Sequence, residues 1–396
     1  MNHSDDTSRI LISKQAAQRV AATINRRRFL ALTGGAASVA ALAACGGSSS
    51  SSNSAASQSS GGSAPVQFDK NLNMFTWAEY DDPDLLKSWG NISLTIFNSN
   101  EEAIQKLVQG GGSSGFDMVV PTGVYIPQLA KAGMLEELDK TKIPNFSNLD
   151  PNYANQAWDP DNKYSVCKNW GTTGWIYDKT VVTTEIKTWA DFIKVAQTEA
   201  SGKTSVLDTA PNLAGIYFWA NGISWITEKQ EDLDACAKFM VDEFAQHIKA
   251  FDSYPGVNLT SGSYALSQVW NGDARQGLLG VKETGDDLER YVWGIGSPET
   301  ELWMDNWCVL KGAKNRDAAY DFINFILDPA NSVTDLNFHG YNTGIKGVDA
   351  LAADIDFKDM VFFTDEQVAT MKSGDVNSAQ ETLVKIYSDV KAKAGG

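Results

Sequence analysis

Histidine and cysteine are scarce in this chain: its 396 residues include three histidines and four cysteines. His3 lies at the very start, and His247 and His339 are far apart. Each of the latter two reads as an ordinary surface or core histidine, so neither a histidine-based triad nor a metal centre is indicated. The cysteines, Cys45, Cys167, Cys236 and Cys308, never reach a Cys-x-x-Cys spacing, which excludes the usual zinc and thioredoxin-type motifs. Basic residues are also in deficit, with 33 Lys and Arg against 49 Asp and Glu and a formal charge of −16. So acidic a chain is a poor nucleic-acid binder. It suits a cationic ligand, although acidity also serves solubility alone. The apolar, small-residue run from Ala31 to Ala44 is short of the roughly 20 residues that a membrane span needs. No metal or cofactor is expected.

That short run has a telling setting. Asn25-Arg26-Arg27-Arg28-Phe29-Leu30 precedes it, and it ends in Leu42-Ala43-Ala44-Cys45. A charged start, a short apolar stretch and small residues before a cut are the parts of an export signal. Adjacent arginines before Phe-Leu resemble a twin-arginine signal. Leu-Ala-Ala-Cys resembles a bacterial lipoprotein cleavage box, in which Cys45 carries the lipid and becomes the first mature residue. Residues 1–44 are therefore expected to be a signal peptide, and 45–65 the lipidated Cys45 with a Ser/Gly-rich linker. Gly46 to Ser63 has no apolar periodicity, so it should behave as a coil with a reach of roughly 20–25 Å. The mature chain, 352 residues after the signal and more acidic still because Arg9, Lys14, Arg19 and Arg26 to Arg28 leave with it, is expected to be extracytoplasmic. Lipid on Cys45 would hold it at the outer face of the cell membrane or in the periplasm. The other three cysteines allow one disulfide and a free thiol; export of a protein already folded in a reducing cytosol favours three buried thiols.

The remaining length suffices for two domains. Leu72 to Thr76, Ile92 to Phe97 and Phe116 to Val120 read as strands, and Asp82 to Trp89 and Ile126 to Lys131 as helices. Between them Asn100 reads as an N-cap, with Glu101 and Glu102 in a first turn and Ile104, Leu107 and Val108 on one apolar face. Strand–helix alternation implies a parallel sheet with right-handed crossovers. The second half continues as α/β: strands at Thr204 to Leu207 and Gln276 to Val281, helices at Leu233 to Phe251 and Ala318 to Leu327. In such open sheets ligands sit outside the carboxyl ends of the strands. Trp77-Ala78-Glu79-Tyr80 follows the first strand and Pro121-Thr122 the third, so both land on one rim. Rings for cation–π contact and a carboxylate for an ammonium are chemistry for an organic cation. Trp77 serves equally well as a core ring and Glu79 as a helix N-terminal acid.

Five segments in order carry a resemblance: Trp77-Ala78-Glu79-Tyr80, Phe116-Asp117-Met118-Val119-Val120-Pro121, Asn145 to Pro151, Trp270-Asn271-Gly272-Asp273 and Trp303-Met304-Asp305. Together they resemble the spermidine/putrescine-binding proteins of bacterial ABC importers, from about Asn73 to the C-terminus. The resemblance implies a two-lobed α/β fold of the periplasmic binding-protein type (type II-like), each lobe a mostly parallel sheet flanked by helices, with the ligand cleft between them. It implies lobes at 66–172 plus 304–345 and at 173–303 plus 346–396, no catalysis, a monomer, and delivery of a small cation to an ABC-transporter permease. Carried over residue by residue, the cleft falls on Trp77, Tyr80, Trp270, Trp303, Asp305 and Tyr341. Asp273 stands where putrescine binders have an acid, and Asn377 where spermidine binders have Gln. Glu79 and Thr122 join them from the rim.

The departures bear on the ligand. Where the family has an aromatic after the third strand this chain has Val124, and where it has two acids in the second lobe Thr209 and Asn212 stand. Asp208, one residue away, should face the other side of a strand. The remaining acids, Glu79, Asp273 and Asp305, suit a short diamine or monocation better than a triamine, so putrescine or another short amine is expected over spermidine. The same scaffold tuned to an amino acid or opine-like compound is the alternative. Other motifs fail on context. Gly111 to Gly115 matches Gly-x-Ser-x-Gly, but a helix precedes it and a strand follows, the reverse of a hydrolase elbow. Gly202-Lys203-Thr204 lacks the first Gly of a phosphate loop, where Gln197 stands. Asp159 to Tyr164 lacks the later ligands and the Gly of a calcium loop.

Overall fold

The computed structural model describes residues 69–259 and 261–395; the signal, Cys45 and the linker lie outside them. Ten strands form one continuous sheet: β1 (Asn71–Thr76), β2 (Asn91–Ile96), β3 (Met118–Val119), β4 (Ser165–Asp178), β5 (Thr204–Leu207), β6 (Ile248–Asp252), β7 (Leu266–Trp270), β8 (Tyr291–Ile295), β9 (Thr300–Val309) and β10 (Met371–Ser373). The main order is β2-β1-β3-β9-β4-β7-β5-β6, with β10 on β9 and β8 on β4. β2, β1 and β3 run parallel, as do β7, β5 and β6. These are the sheets of two lobes. The long strands β4 and β9 pass between them, antiparallel to each other and to their outer neighbours. β4 pairs β9 through Ser165–Thr172 and then β7 and β8 through Thr173–Asp178, so one strand serves both lobes. All fourteen of its residues are buried.

Local chemistry sets the element ends. Asp82 caps the helix Pro83–Trp89, its carboxylate accepting from the amides of Asp84 and Leu85. Ser99, not Asn100, caps the helix Asn100–Gln109, accepting from the Glu102 amide. The core-facing side is centred on Ala103 and Leu107, with Ile104 half-buried and Val108 exposed. The expected helix over Leu233 to Phe251 is Gln230–Phe239, followed by one wide and one tight turn to His247, and Ile248–Asp252 is β6. Buried Leu233, Cys236 and Met240 carried the helical period, but pairing with β5 wins its last four residues, Ile248 to Phe251. The expected strand at Gln276 to Val281 lies within the helix Asn271–Thr284. Its glycines lower helix propensity, yet Gly277 is needed there, because a Cβ would come within 2.7 Å of the Leu259 side chain. Cys167, Cys236 and Cys308 are buried free thiols, as expected. Burial pushes the Cys236 thiol up to about 12, so it is inert at neutral pH.

One core surrounds Leu72, Trp170, Trp307 and Phe322, and another Trp175, Trp189, Phe192 and Trp219. Val348, Ala352, Val361 and Met371 pack in the first, while Met360 packs with Ile176, Val269 and Leu278 on the second side. A buried ion cluster lies behind the first lobe's rim. Lys168 sits at the bulge where the β4–β9 register shifts between Cys167 and Asn169. Its Nζ donates to the Tyr80 carbonyl (2.9 Å), to Asp81 (2.9 Å) and to Asp335 (3.2 Å). Burial works against that charge, but Asp335 and Asp81 hold the ammonium above its usual pKa. Asp335 also accepts from the Asp82 amide at 2.9 Å. Residues 80–82 are thus tied from three sides, which fixes the Tyr80 ring. Removing the cation of a buried pair leaves uncompensated charge and costs about 3–5 kcal/mol. Lys168→Met should therefore lower unfolding stability by about that amount, with much of it recovered by adding Asp81→Asn and Asp335→Asn. Denaturant titrations of the single and triple variants check this.

Candidate functional site

A cavity of about 480 Å³ opens between the lobes at the carboxyl ends of their strands, a volume within the usual range for small-molecule sites. Trp77, directly after β1, is half-buried; its Nε1 donates to the Val120 carbonyl (2.9 Å) and its ring meets Phe97 edge-on at 4.4 Å. Tyr80 and Thr122 converge on Asp305 of β9. Tyr80 Oη lies 2.7 Å from Asp305 Oδ2, and Thr122 Oγ1 donates to Oδ1 at 2.7 Å. Tyr80 Oη is also 2.6 Å from the Asn169 amide oxygen, while Asn169 Nδ2 is buried without a partner. One hydroxyl proton cannot serve two acceptors. Turning the Asn169 amide lets Nδ2 donate to Tyr80, which then donates to Asp305. Asn100 completes the shell, exchanging two 3.0 Å hydrogen bonds with the Thr122 side chain and amide.

Trp303 packs edge-on against Tyr341 at 4.7 Å, and the Tyr341 hydroxyl donates to Asp273. The Trp270-Asn271-Gly272-Asp273 segment ends β7 and begins the following helix. Asn271 is structural: its Oδ1 accepts from the Thr172 amide (2.9 Å) and its Nδ2 donates to the Met360 carbonyl (2.8 Å). Gly272 makes room for Tyr341, since a Cβ there would lie 2.4 Å from the ring. Asn212 is buried at the first turn of the helix Ala210–Ala220, which Thr209 caps. Its Nδ2 donates to Glu301 at 2.6 Å, and Thr173 Oγ1 donates to the same carboxylate at 2.7 Å.

Of the expected site residues, Trp77, Tyr80, Thr122, Asn212, Trp270, Asp273, Trp303, Asp305 and Asn377 line the cavity, and Glu79 and Tyr341 do not. Glu79 is exposed, with a left-handed backbone at φ 52°. Tyr341 is buried behind Trp303 and Asp273. The Asn377 amide is engaged by its own chain, donating to the Ile226 carbonyl (2.8 Å) and accepting from the Ala379 amide (3.0 Å). Val124 lines the cavity, and so does Trp158, an aromatic that arrives from a distant loop and packs where a Cβ on Gly123 would lie 2.3 Å from its ring. Glu301 was not anticipated, although it shares the β9 face of Trp303 and Asp305 by simple alternation.

The charge balance decides what the cavity can hold. Asp273, Glu301 and Asp305 line it, and burial lifts each carboxyl to about 6. Their hydrogen-bond donors are neutral hydroxyls and amides. Among the described residues no Lys, Arg or His lines the cavity, and none forms an ion pair with these three. Of the other acids at the wall, Asp208 pairs with Lys391 at 2.7 Å, Glu101 accepts from Tyr125 (2.5 Å) and Gln380 (3.0 Å), and Asp375 is exposed at the rim.

In comparison with known proteins, residues 90–363 match the family of bacterial extracellular solute-binding proteins. The spermidine/putrescine-binding periplasmic protein of Escherichia coli is 28% identical over 345 residues, covering 83% of this chain and 94% of that protein. A putrescine/agmatine-binding protein of Pseudomonas aeruginosa is 27% identical over 290 residues, 69% of this chain and 78% of that one. The crystal structure of the Tp0655 (TpPotD) lipoprotein of Treponema pallidum superposes with a TM-score of 0.71 at 24% identity, covering 81% of this chain and 99% of that one.

A carboxyl lifted to about 6 when folded binds its proton more tightly than in the unfolded chain, where it titrates near 4. The folded state then holds the extra proton between these values, so its stability falls as pH rises through that window and stays lowered above it. Asp305→Asn should therefore raise the melting temperature of the ligand-free protein at pH 8 by about 3 °C, for about 2–3 kcal/mol relieved. At pH 4 the gain should vanish. Scanning calorimetry at the two pH values measures it.

Proposed function

The chain belongs to the bacterial extracellular solute-binding proteins, and we propose that within this family it captures a small polyamine-like cation and delivers it to the permease of an ABC importer. The members of that family bind and deliver solutes; they are not enzymes. One observation carries the reading: buried Asp305 and half-buried Asp273 and Glu301 face a ring-walled cavity with no cationic side chain among its lining residues. An organic ammonium supplies the missing charge, and the Trp faces take its methylenes. Hydrogen bonds to charged groups contribute about 1.5–3 kcal/mol each, so two ammonium contacts outweigh the ordering of a short flexible ligand. An amino acid or opine-like compound would bring a carboxylate of its own into a cavity that has no base to receive it. Within the class, a short amine such as putrescine is favoured over spermidine. Thr209 and Asn212 are neutral, Asp208 and Glu101 are held by their own partners, and the remaining lining acid, Asp375, is exposed at the rim, where water screens an ion pair to little net gain, so a third ammonium finds no buried acid there.

For location, the Leu42-Ala43-Ala44-Cys45 segment supports a lipid anchor at Cys45, the Arg26-Arg27 pair supports twin-arginine export, and the Treponema neighbour is itself a lipoprotein. The reading is of a monomer tethered outside the cell membrane. Cys45→Ser should release the protein from the membrane fraction, and a variant still fully membrane-bound would refute the anchor.

Because the three carboxyls are half-protonated near pH 6, cation binding must expel protons below that value. Affinity for putrescine should be flat above about pH 7.5 and fall by up to tenfold per pH unit below 6 for each carboxylate the ligand engages. Thermal-shift titrations with putrescine, spermidine, agmatine and neutral amino acids at pH 5.5 and 8 test both points. Tighter spermidine binding would overturn the chain-length preference, and stabilisation only by amino acids would overturn the cation reading.

A further inference from the structure

Resting on that reading and narrowing it, we propose that Glu301 is a cation ligand of the cleft, and that Asn212 is its positioning residue. Glu301, Trp303 and Asp305 alternate along β9 and so share one face. All three line the cavity. The Cα atoms of residues 301 and 305 are about 13 Å apart along a strand, with the Trp303 ring between them. An extended four-carbon diamine spans about 6 Å between nitrogens at ordinary bond lengths, and one hydrogen bond of about 2.8 Å at each end brings it to a similar span. The ligand class is a diammonium with a short aliphatic spacer laid across Trp303.

The setting of Glu301 is that of a held but unneutralised acid. Thr173 and Asn212 both donate to Oε2, and the nearby Trp270 side chain also draws the carboxyl's pKa down. Every one of these donors is neutral, and a carboxylate retains acceptor capacity beyond them. The charged or titratable groups facing it are Asp305 on its own strand and Tyr125 across the cavity. Lys372, its register partner on β10, is exposed and gives its ammonium to the Ala369 carbonyl at 2.7 Å. The second lobe is therefore not left uncharged by the neutral Thr209 and Asn212. The charge is carried on the crossing strand, and Asn212, the residue in the acid's place, hydrogen-bonds to it.

The test compares the unmodified protein, Glu301→Gln, and Glu301→Gln combined with Asn212→Glu, each titrated by calorimetry with putrescine and with n-butylamine. Glutamine keeps the shape and an oxygen for Thr173 and Asn212, so the fold should hold, and as with Asp305→Asn the ligand-free melting temperature at pH 8 should rise slightly and not fall. Glu301→Gln is expected to weaken putrescine roughly ten- to hundredfold and n-butylamine, whose one ammonium Asp305 can serve, by a factor of about two or less. Proton release on putrescine binding at pH 5.5, read in buffers of different ionisation enthalpy, should fall by up to one. The double variant, which returns the carboxylate to the helix, should regain part of the lost affinity. Unchanged putrescine affinity in Glu301→Gln would remove Glu301 from the site while leaving cation capture intact. Equal losses for both amines would show that Glu301 only shapes the cavity, and binding of neither amine by the unmodified protein would overturn both readings.

Discussion

Three carboxylates share one cavity, and among the described residues none of them has an ion-pair partner, the Lys168 ammonium behind Tyr80 reaching Asp305 only from a distance. Carboxylates removed from water are costly unless paired or hydrogen-bonded, and other buried acids here meet that cost in both ways: Asp117, Asp159 and Asp252 lie among neutral donors alone, whereas others have a cation. Asp81 and Asp335 are buried and share Lys168; Asp178 is met by Arg290 and Asp208 by Lys391. At Asp273, Glu301 and Asp305 the fold stops at neutral donors. Tyr341, Asn212, Thr173, Tyr80 and Thr122 orient the oxygens without cancelling their charge. Burial accordingly holds all three carboxyls near 6. The free energy withheld in the empty state is recovered when a cation arrives, which is how a site can favour ligand over water without a large apolar contact.

The architecture follows from where those acids must stand. β9 carries Glu301 and Asp305 and is also one of the two strands that pass between the lobes. The charged floor of the site therefore belongs to the crossing, while each lobe contributes a wall: Trp77, Tyr80 and Thr122 from one side, Trp270, Asp273 and Asn212 from the other. Rigidity is supplied from behind. The buried Lys168 cluster holds residues 80–82, and Lys168 reaches it because the β4 bulge re-aims it just before Asn169, the partner of Tyr80. Contacts also cross the cavity mouth, with Tyr254 Oη donating to Asn98 at 3.0 Å and Gln380 to Glu101. These exposed hydrogen bonds are weak relative to the buried ones, so they fit surfaces that separate and meet again.

Much of this was legible in the sequence. Local signals located β1, β2, β5 and the helices Pro83–Trp89 and Ile126–Lys131 to within a residue or two, because each has one period and a clear cap or turn. Two misreadings share a cause. Residues 248–252 and 276–281 have ambiguous local preference, and partners far away in sequence decided them: β5 for the first, and the packing of Gly277 against Leu259 for the second. In the site, the aromatic and acidic residues of the recurring segments were found, but their layering was not. Tyr341 supports rather than lines, and Glu79 turns outward, because a motif names residue types and not depth. Trp158 could not be read at all; its place depends on a loop meeting Gly123. Glu301 could have been: it lies two residues before Trp303 and four before Asp305, and alternation alone puts the three on one face.

Under the proposal that Glu301 binds the cation, an acid on the crossing strand differs in kind from one at residue 212. A carboxylate at 212 would sit in the first turn of the helix Ala210–Ala220, where unpaired amides and the helix dipole stabilise an anion by about 0.3–1 kcal/mol, and up to about 2 when partly buried. Such an acid is partly satisfied before any ligand arrives. Glu301 stands on a strand, which has little net dipole, and its neutral donors leave its carboxyl raised by burial to about 6. The same ammonium therefore gains more from pairing with Glu301 than with an acid at the helix start, and the gain depends more steeply on pH near 6. Asn212 retains the helix position while giving its side-chain N–H to the relocated charge. On that proposal the cleft's hold on a cation would be set by the proton balance of its crossing strand rather than by the helix termini of its lobes.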